Sequence, residues 1–511
     1  MTFSAAIKSD AKPWRMRVDK FFDDQRMNRA IDWLLLAYCL AAGLSIAVSQ
    51  IAAVSFVVLW LSKIAHQRCA KTNGQVNQNL PVDPHILIFA VPLISWFAAT
   101  LVASLTGINT TKALLEMLRS SVYLLFPFSI CFFLVDHADG VDAGKLLARI
   151  TRYFIALTAS LCLAGLHSAL SAAAGYEIKP RIPGAVTESG QLALVLPLLV
   201  SLCFVASRQR LEQAQDVLCE KDGYRARWMK PIAFFFFVMV FAWPGVIHRG
   251  NGSHWSLLIR SLAACGALMG VFVTFWQYIK LPKQLRSALP HDILRLACAL
   301  LIAVLIINLK RGPWLGIVVS FIVFGLLFSR RLFAGTAGAV VFALLFFEPA
   351  RARLFALFQD FVISGGRKSM WLLGLEIVER FPLGLGLGNA NFMRKLDPSL
   401  PYMHRHMHNN LLNVAVESGL IGLGAYIWWM VAAIGLGFAL FRKMANSQDS
   451  ASRQIRILLL GLSCSLLSWQ VAGLVEYNFG DGEVRLLALF LMGALLALAS
   501  RDISQGDIAA Q

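Results

Sequence analysis

The sequence predicts an all-α, polytopic membrane protein. Hydrophobic residues make up 58% of the 511-residue chain and charged residues only 15%, which is too apolar for several soluble domains. Apolar runs of about 20 residues, enough to cross the hydrocarbon core as helices, recur along the chain. Short loops rich in lysine and arginine separate many of these runs, as cytoplasmic loops do. We therefore expect about 14 transmembrane helices and one long loop.

The net charge of +18 is consistent with either nucleic-acid binding or membrane orientation. Because the basic residues lie mainly in short loops between apolar runs, membrane orientation explains them and no nucleic-acid partner is expected. The nine cysteines contain no CxxC pair, so neither a disulfide framework nor a zinc–cysteine site is indicated.

The first part of the chain predicts a cytoplasmic segment followed by six spans. Residues 1–30 are basic and polar and lack the small-residue cleavage site of a signal peptide. The predicted spans are 31–48, 51–61, 85–105, 114–135, 146–170 and 192–206. Within the fourth, Glu116 and Arg119 are three residues apart, and a mutually satisfied pair is favoured over a functional role.

The second part begins with a pair of predicted spans, 232–247 and 257–279, that resembles an insertion. Three more spans end near residues 308, 330 and 347 and complete a membrane region over 31–347. Residues 348–410 form the long loop, 411–500 carry the last three spans, and 501–511 form a cytoplasmic tail.

Alternation of the spans from a cytoplasmic N-terminus places the short basic loops in the cytoplasm, as the positive-inside rule requires. Four unusual segments then fall on the opposite, periplasmic face. They are the loop with Arg181, the Lys310–Arg311 turn, the loop over 348–410 and the turn over 476–483. Their convergence predicts a functional site on that face.

Arginines on the outer face run against the orientation bias and need a local reason. A guanidinium at the membrane surface can bind two oxygens of a phosphate or diphosphate. For one such residue, a cation that snorkels to the interface is the better explanation. For Arg181, Arg311 and Arg367 together, the sequence favours a diphosphate site.

The long loop has internal organisation. Residues 367–380 predict a helix at the membrane interface, with Trp371, Leu375 and Val378 on one face. The stretch LGLGLGN at 383–389 lacks the preceding strand and following helix of a dinucleotide site, and a flexible loop is expected.

His404, His406 and His408 alternate along the chain, which suggests either zinc or acid–base chemistry. Zinc would require further ligands. A single histidine on a water-accessible rim, opposite several arginines, better suits a general base that takes a proton from a sugar hydroxyl.

Carboxylates offer a rival site. Asp136, Asp139 and Asp142 lie in a short cytoplasmic loop, where a solvated linker is favoured over a metal site. Glu476 and Asp481 are on the predicted periplasmic side. They could orient His408, bind an acceptor or cap the last helix.

Several motifs, in order, resemble the O-antigen ligase and O-antigen polymerase superfamily of bacterial membrane glycosyltransferases. The motifs are Arg181 with Gly184, KRGPWLG at 310–316, RKSMWLLGLEIVERFPLGLGLGNANF at 367–392, HNNLLNVAVESGLIGLG at 408–424 and EYNFGDGEV at 476–484. The resemblance covers most of the chain, although each motif is short.

The resemblance implies a metal-independent, GT-C-like fold without a cofactor, in the bacterial inner membrane. It implies transfer of a glycan from undecaprenyl diphosphate to an acceptor hydroxyl at the periplasmic face, with inversion of the anomeric centre. His408 would be the base, Arg181 and Arg311 would bind the diphosphate, and Arg367 is a weaker candidate. The accessory candidates are Lys310, Asn409, Glu476 and Asp481.

The sequence departs from the family in two ways and leaves three functions open. The pair at 232–279 exceeds the usual number of spans, and Lys310 stands where the family often has serine. The functions are a ligase with lipid A-core as the acceptor, a repeat-unit polymerase, and a transporter or flippase. A transporter would place charges near the bilayer midplane, whereas here they gather at one face.

Overall fold

The computed structural model describes residues 24–71, 84–136, 142–173, 185–214, 291–308, 310–346, 351, 352, 355, 359, 366–398 and 405–509. These residues are helical or irregular and contain no β-strand, which confirms the predicted fold class. Arg181, His404, Asp139 and the predicted spans 232–247 and 257–279 lie outside the described residues.

The long helices within the described ranges follow one another along the chain. They are α1 (Asp24–Ala41), α2 (Ile46–Lys71), α3 (Pro84–Thr106), α4 (Thr110–Asp136), α5 (Ala143–Ala173), α6 (Ala185–Ala214), α7 (His291–Asn308), α8 (Arg311–Phe328), α9 (Arg330–Phe346), α10 (Arg367–Arg380), α11 (Asn410–Lys443), α12 (Ser450–Ala472) and α13 (Gly482–Ala509). Short helical turns occupy Ala390–Phe392, Met393–Leu396 and Met444–Asn446.

Nine of the helices in the described part of the chain are long and apolar enough to cross a membrane. They are α2 to α6, α8 and α11 to α13. Helix α7 adds a shorter apolar stretch, Ile293–Ile307. The chain is therefore a multi-pass membrane protein, and the total of about 14 spans remains a prediction.

The boundary between the first two predicted spans is wrong. Helix α1 ends at Ala41 and α2 begins at Ile46, so the break lies before residues 49–50. The Gln191 side chain donates a hydrogen bond to the Ala42 carbonyl at 2.7 Å, and the Gly43 N–H donates to the Ser160 hydroxyl at 3.1 Å. Because these contacts come from distant residues, the continuous apolar pattern does not reveal them.

Glycines allow α8 to lie directly against α12. A Cβ atom added at Gly316 would stand 2.2 Å from the Ser468 carbonyl oxygen, and one at Gly312 would stand 2.9 Å from the Ala472 carbonyl oxygen. Small residues one helical turn apart are a common device for close helix packing in membranes. The contact brings the start of α8 beside the turn that follows α12.

Helix α11 is interrupted at Gly419, which has φ 72° and ψ −176°. Its 34 residues would extend roughly 50 Å as one helix, which exceeds the hydrocarbon core of about 30 Å. At the break, the Leu420 N–H donates to the Pro382 carbonyl at 3.0 Å. The break thus separates the first turns of α11 from its main apolar part and joins them to the loop before it.

One end of the bundle, here called the site end, collects most of the polar irregular segments. It comprises the turn at 107–109, the start of α8, residues 366–398 and 405–409, and the turn at 473–481. The Asn410 N–H donates to the Gly473 carbonyl at 2.7 Å, and the Ile108 N–H donates to the Leu385 carbonyl at 3.2 Å. Three of the four segments predicted to converge are therefore together in the structure.

Replacing Gly316 by alanine tests the packing of α8 on α12. The new methyl group would collide with the Ser468 backbone, so we expect Gly316→Ala to lower the free energy of unfolding by about 1–3 kcal/mol. The control is Gly338→Ala on α9, where nothing lies within 4 Å, and we expect it to be neutral or slightly stabilising. Thermal unfolding in detergent, followed by tryptophan fluorescence, checks both variants. Equal melting temperatures would contradict the close contact.

Candidate functional site

The start of α8 is positioned by its own sequence. Lys310 occupies the N-cap position and Arg311 is the first helical residue. Pro313 is tolerated in this first turn because the N–H that it lacks would have no partner within the helix. The Trp314 indole N–H donates to the Leu305 carbonyl at 2.8 Å, which ties the start of α8 to the end of α7.

Glu476 lies against this helix start. A Cβ atom added at Gly312 would be 3.0 Å from the Glu476 carboxyl carbon, and the Gly312 N–H hydrogen-bonds the carboxylate. Burial raises the pKa of Glu476 above its ordinary value, while Lys310, Arg367, the Gly312 N–H and Arg311 oppose that rise. The structure therefore gathers three of the predicted cations around one carboxylate.

The carboxylates of the 473–481 turn have different places. Asp481 immediately precedes α13, and its backbone carbonyl accepts the Arg485 N–H at 2.9 Å. Asp481 therefore occupies the position of a residue that caps the last helix. Glu476 instead occupies the start of α8, and the suggestion that Glu476 caps the last helix is wrong. The reason is the close packing of α8 on α12, which the order of residues does not show.

His408 stands at the beginning of α11 and is half-buried. It adopts a left-handed backbone conformation with φ 48°, which is uncommon for residues other than glycine. The Asn409 side chain accepts the Leu412 N–H at 3.0 Å and donates to the Leu474 carbonyl at 2.9 Å. Asn409, an accessory candidate from the sequence, thus caps α11 and ties it to the 473–481 turn.

Asn410 provides a second, buried connection to the same turn. Its side-chain amide donates to the Asn478 side-chain oxygen at 2.7 Å and accepts the Phe479 N–H at 3.0 Å. Gly473 is needed here, because a Cβ atom at that position would be 2.0 Å from the Asn410 nitrogen. Neither Asn410 nor Asn478 was predicted as a site residue, although Asn410 lies in the motif at 408–424 and Asn478 in the motif at 476–484.

A second group of side chains adjoins His408 and was also missed. The His406 ring centroid is 4.3 Å from that of His408 and 5.2 Å from that of Tyr477. The Tyr477 hydroxyl donates to the buried Glu417 carboxylate at 3.4 Å. Burial raises the pKa of Tyr477 well above its ordinary value, and the nearby charge of Glu417 adds to this, so the phenol stays protonated. The alternating histidines are the sequence signal of this group, but the pattern predicts only zinc ligands or a single base and does not point to Tyr477 or Glu417.

The glycine-rich stretch at 383–389 is a loop, as predicted. Gly384, Gly386 and Gly388 all have positive φ angles of 93°, 86° and 75°, which side-chain-bearing residues rarely adopt. The Leu385 N–H donates to the Val416 carbonyl at 2.8 Å, and the Gly386 N–H donates to the Glu417 carbonyl at 3.0 Å. The loop is therefore hydrogen-bonded to α11 through its backbone, and its flexibility stays a prediction.

Helix α10 has the predicted bounds, Arg367–Arg380. Its buried residues are Met370, Gly374, Ile377 and Val378. Leu375, placed by the sequence on one face with Trp371 and Val378, is 58% exposed, and the position of this helix at the membrane interface stays a prediction. The Trp371 indole N–H donates to the Met407 carbonyl at 3.0 Å, which connects α10 to the residue before His408.

The remaining candidates are placed as follows. Arg119 and Glu116 form the predicted ion pair at 2.7 Å. The Asp142 side chain accepts the Gly144 N–H at 2.8 Å at the start of α5. Within the ranges that the structure describes, no group of three or more histidine, cysteine, aspartate or glutamate side chains could hold a metal ion.

One family comparison bears on this site. Residues 296–427 match the family model described as O-Antigen ligase. The matched segment contains Lys310, Arg311, Arg367 and His408, and it supports the superfamily resemblance seen in the motifs. No curated protein sequence matches the chain.

The raised pKa of Asp481 predicts a pH-dependent stability. Burial is the largest cause, Glu483 and Glu476 add to it, Arg485 opposes it, and the resulting pKa is about 7. The folded state then binds the proton more tightly than the unfolded state, in which the aspartate pKa is about 4. Stability is therefore lost as the pH rises from about 4 to about 7.

Asp481→Asn removes this titration and keeps a residue suited to a helix start. We expect its melting temperature to exceed that of the wild type by an amount that grows as the pH is raised from about 5 to about 8. Asp449→Asn is the control, because Asp449 caps α12 by accepting the Ser452 N–H at 2.8 Å. A difference for Asp481→Asn that is independent of pH would show that Asp481 titrates normally.

Proposed function

We propose that this protein, whose residues 296–427 carry the O-antigen ligase match, transfers a glycan from undecaprenyl diphosphate to an acceptor hydroxyl. The transfer would take place at the periplasmic face of the bacterial inner membrane, and the proposed acceptor is lipid A-core. A polymerase that extends a second lipid-linked glycan shares the same chemistry. The assay below separates the two.

The assembly of cations at the start of α8 is the observation that carries the proposal. Lys310, Arg311 and Arg367 all lie near the Glu476 carboxylate. Three cations and one carboxylate leave a net positive charge, and a helix N-terminus favours anions further. A diphosphate suits this arrangement, because guanidinium groups bind phosphate oxygens in pairs.

The cations would act on the leaving group. As the bond between the sugar and the diphosphate breaks, negative charge develops on the diphosphate oxygens. Fixed cations beside that position stabilise the charge without having to reorganise during the reaction. The Glu476 carboxylate lies near these cations and lowers the net positive charge that they present, so the donor diphosphate would compete with Glu476 for them.

His408 would act on the acceptor. It is half-buried at the same end of the bundle, and the turn at 473–481 bonds to the residues directly after it. A neutral imidazole can take the proton of a sugar hydroxyl as that hydroxyl attacks the anomeric carbon. Attack opposite the departing diphosphate inverts the anomeric centre.

The position of the site also suits a lipid-linked donor and counts against a transporter. The predicted cations lie at helix ends, at the start of α8 and of α10. A lipid tail can then stay in the membrane while its diphosphate reaches the cations. Transporters instead hold their substrates near the bilayer midplane, often on interrupted helices.

Arg311→Ala tests the diphosphate site. Loss of a fixed cation should reduce turnover by about 100-fold or more, and Arg311→Lys should recover part of it, because lysine keeps the charge without the paired donors. Arg330→Ala, at the start of α9 and two residues after the far end of α8, is the control and should keep wild-type turnover. Transfer is measured with purified protein in lipid, and EDTA should have no effect. Full activity of Arg311→Ala would remove this residue from the site.

His408→Ala tests the base and separates the two reactions. We expect turnover to fall by about 100-fold or more, whereas His66→Ala on α2 should be unaffected. Lipid A-core and a second lipid-linked glycan are offered separately as acceptors. Transfer to lipid A-core supports the ligase, and chain growth on the lipid-linked glycan supports the polymerase. Failure of the wild type with both acceptors would contradict the proposed function.

A further inference from the structure

His406 contacts the proposed base within one short turn. The His408 backbone N–H donates to the His406 Nδ1 atom at 3.3 Å, and the two ring centroids are 4.3 Å apart. His408 is the residue with the left-handed backbone, φ 48°, a conformation that costs free energy for a side chain with a Cβ atom. The hydrogen bond to His406 helps to maintain the backbone that presents the His408 ring.

Tyr477 packs against His406 and is itself hydrogen-bonded to Glu417. The Tyr477 ring lies 5.2 Å from the His406 ring, and its hydroxyl donates to Glu417 at 3.4 Å. The other Glu417 carboxylate oxygen accepts the Ala390 N–H at 3.4 Å. A continuous series of contacts therefore runs from the glycine-rich loop through Glu417, Tyr477 and His406 to His408.

The hydrogen bond specifies the form of the His406 ring. Its Nδ1 atom can accept the His408 N–H only when that nitrogen carries no proton, so a neutral His406 holds its proton on Nε2. Protonation of Nδ1 would turn the acceptor into a donor that faces another donor. It would also place a positive charge beside His408, which disfavours proton uptake by the base.

We propose that His406 is a positioning residue that holds His408 in its reactive orientation only while His406 is neutral. The inference rests on the proposed function, in which His408 is the base. The titratable group in ring contact with His406 is Tyr477, and Arg405 is next to His406 in the chain. The charged and titratable groups that act on Tyr477 in turn are Glu417, Arg485, Tyr426 and Asp481.

Two substitutions at His406 separate positioning from simple packing. An asparagine side chain can accept the N–H of the residue two positions later, so His406→Asn keeps the hydrogen bond without a titrating ring. His406→Leu keeps apolar bulk but has no acceptor. We expect kcat to fall about 10- to 100-fold in His406→Leu and to stay within about threefold of the wild type in His406→Asn. The donor KM should be unchanged in both.

The pH profile supplies a readout that a structural role would not move. In the wild type, the loss of activity at low pH should follow the uptake of two protons, because His406 and His408 must both be neutral. In His406→Asn, the loss of activity should follow the uptake of a single proton. His66→Asn, on α2, is the control and should keep the two-proton limb. Wild-type kcat in His406→Leu, or a one-proton limb in the wild type, would overturn the inference.

A second measurement does not depend on turnover. Diethyl pyrocarbonate modifies neutral imidazoles, and peptide mass spectrometry reports the rate at His408. We expect a rate change of at least about threefold in His406→Leu and a near wild-type rate in His406→Asn, because only asparagine keeps the hydrogen bond. Equal rates in all three proteins overturn the inference. If the wild type transfers no glycan while the rates change as expected, the proposed function fails and the positioning contact stands.

Discussion

The buried side chain of Asn410 fixes the geometry on which the candidate site depends. Its amide binds Asn478 and the Phe479 N–H, so the first turn of α11 cannot move independently of the turn at 473–481. His408 precedes this connection in the chain, and Glu476 lies within the connected turn. One buried hydrogen-bond network thus joins the segment that carries the proposed base to the turn that carries Glu476. Such networks are costly to leave half satisfied, which makes their geometry well defined.

Irregular backbone at the end of a membrane bundle must still satisfy its hydrogen bonds. The glycine-rich loop does so by bonding to the first turns of α11, and positive φ angles at alternate residues let its backbone approach closely. The break at Gly419 completes this arrangement with the bond from Leu420 to Pro382. Loop and helix are therefore held together by backbone hydrogen bonds next to the segment with His406 and His408, which suits a site that needs fixed positions.

The sequence predicted the fold class, the bounds of α10 and the collection of Lys310, Arg311 and Arg367 at one end, because apolar length and charge placement are local properties of a chain. It did not predict the place of Glu476, which depends on the contact of Gly312 and Gly316 with α12. Nor did it predict the role of Asn410 or of Tyr477. Their partners are more than 50 residues away, and no spacing rule connects them.

The order in which the site residues occur along the chain has a consequence for biogenesis. The segment that matches the ligase family ends at residue 427 and already contains His408 and Arg311. Each of three contacts joins a residue before position 427 to one after it: Asn409 to Leu474, Asn410 to Asn478 and Glu417 to Tyr477. These contacts can form only after residues 473–481 have been synthesised and α12 has been inserted. A ribosome-bound chain that has completed the matched segment would still lack the contacts that join residues 408–410 to the turn at 473–481. The geometry of the candidate site would then be set late in membrane assembly, after most of the helices that surround it are in place.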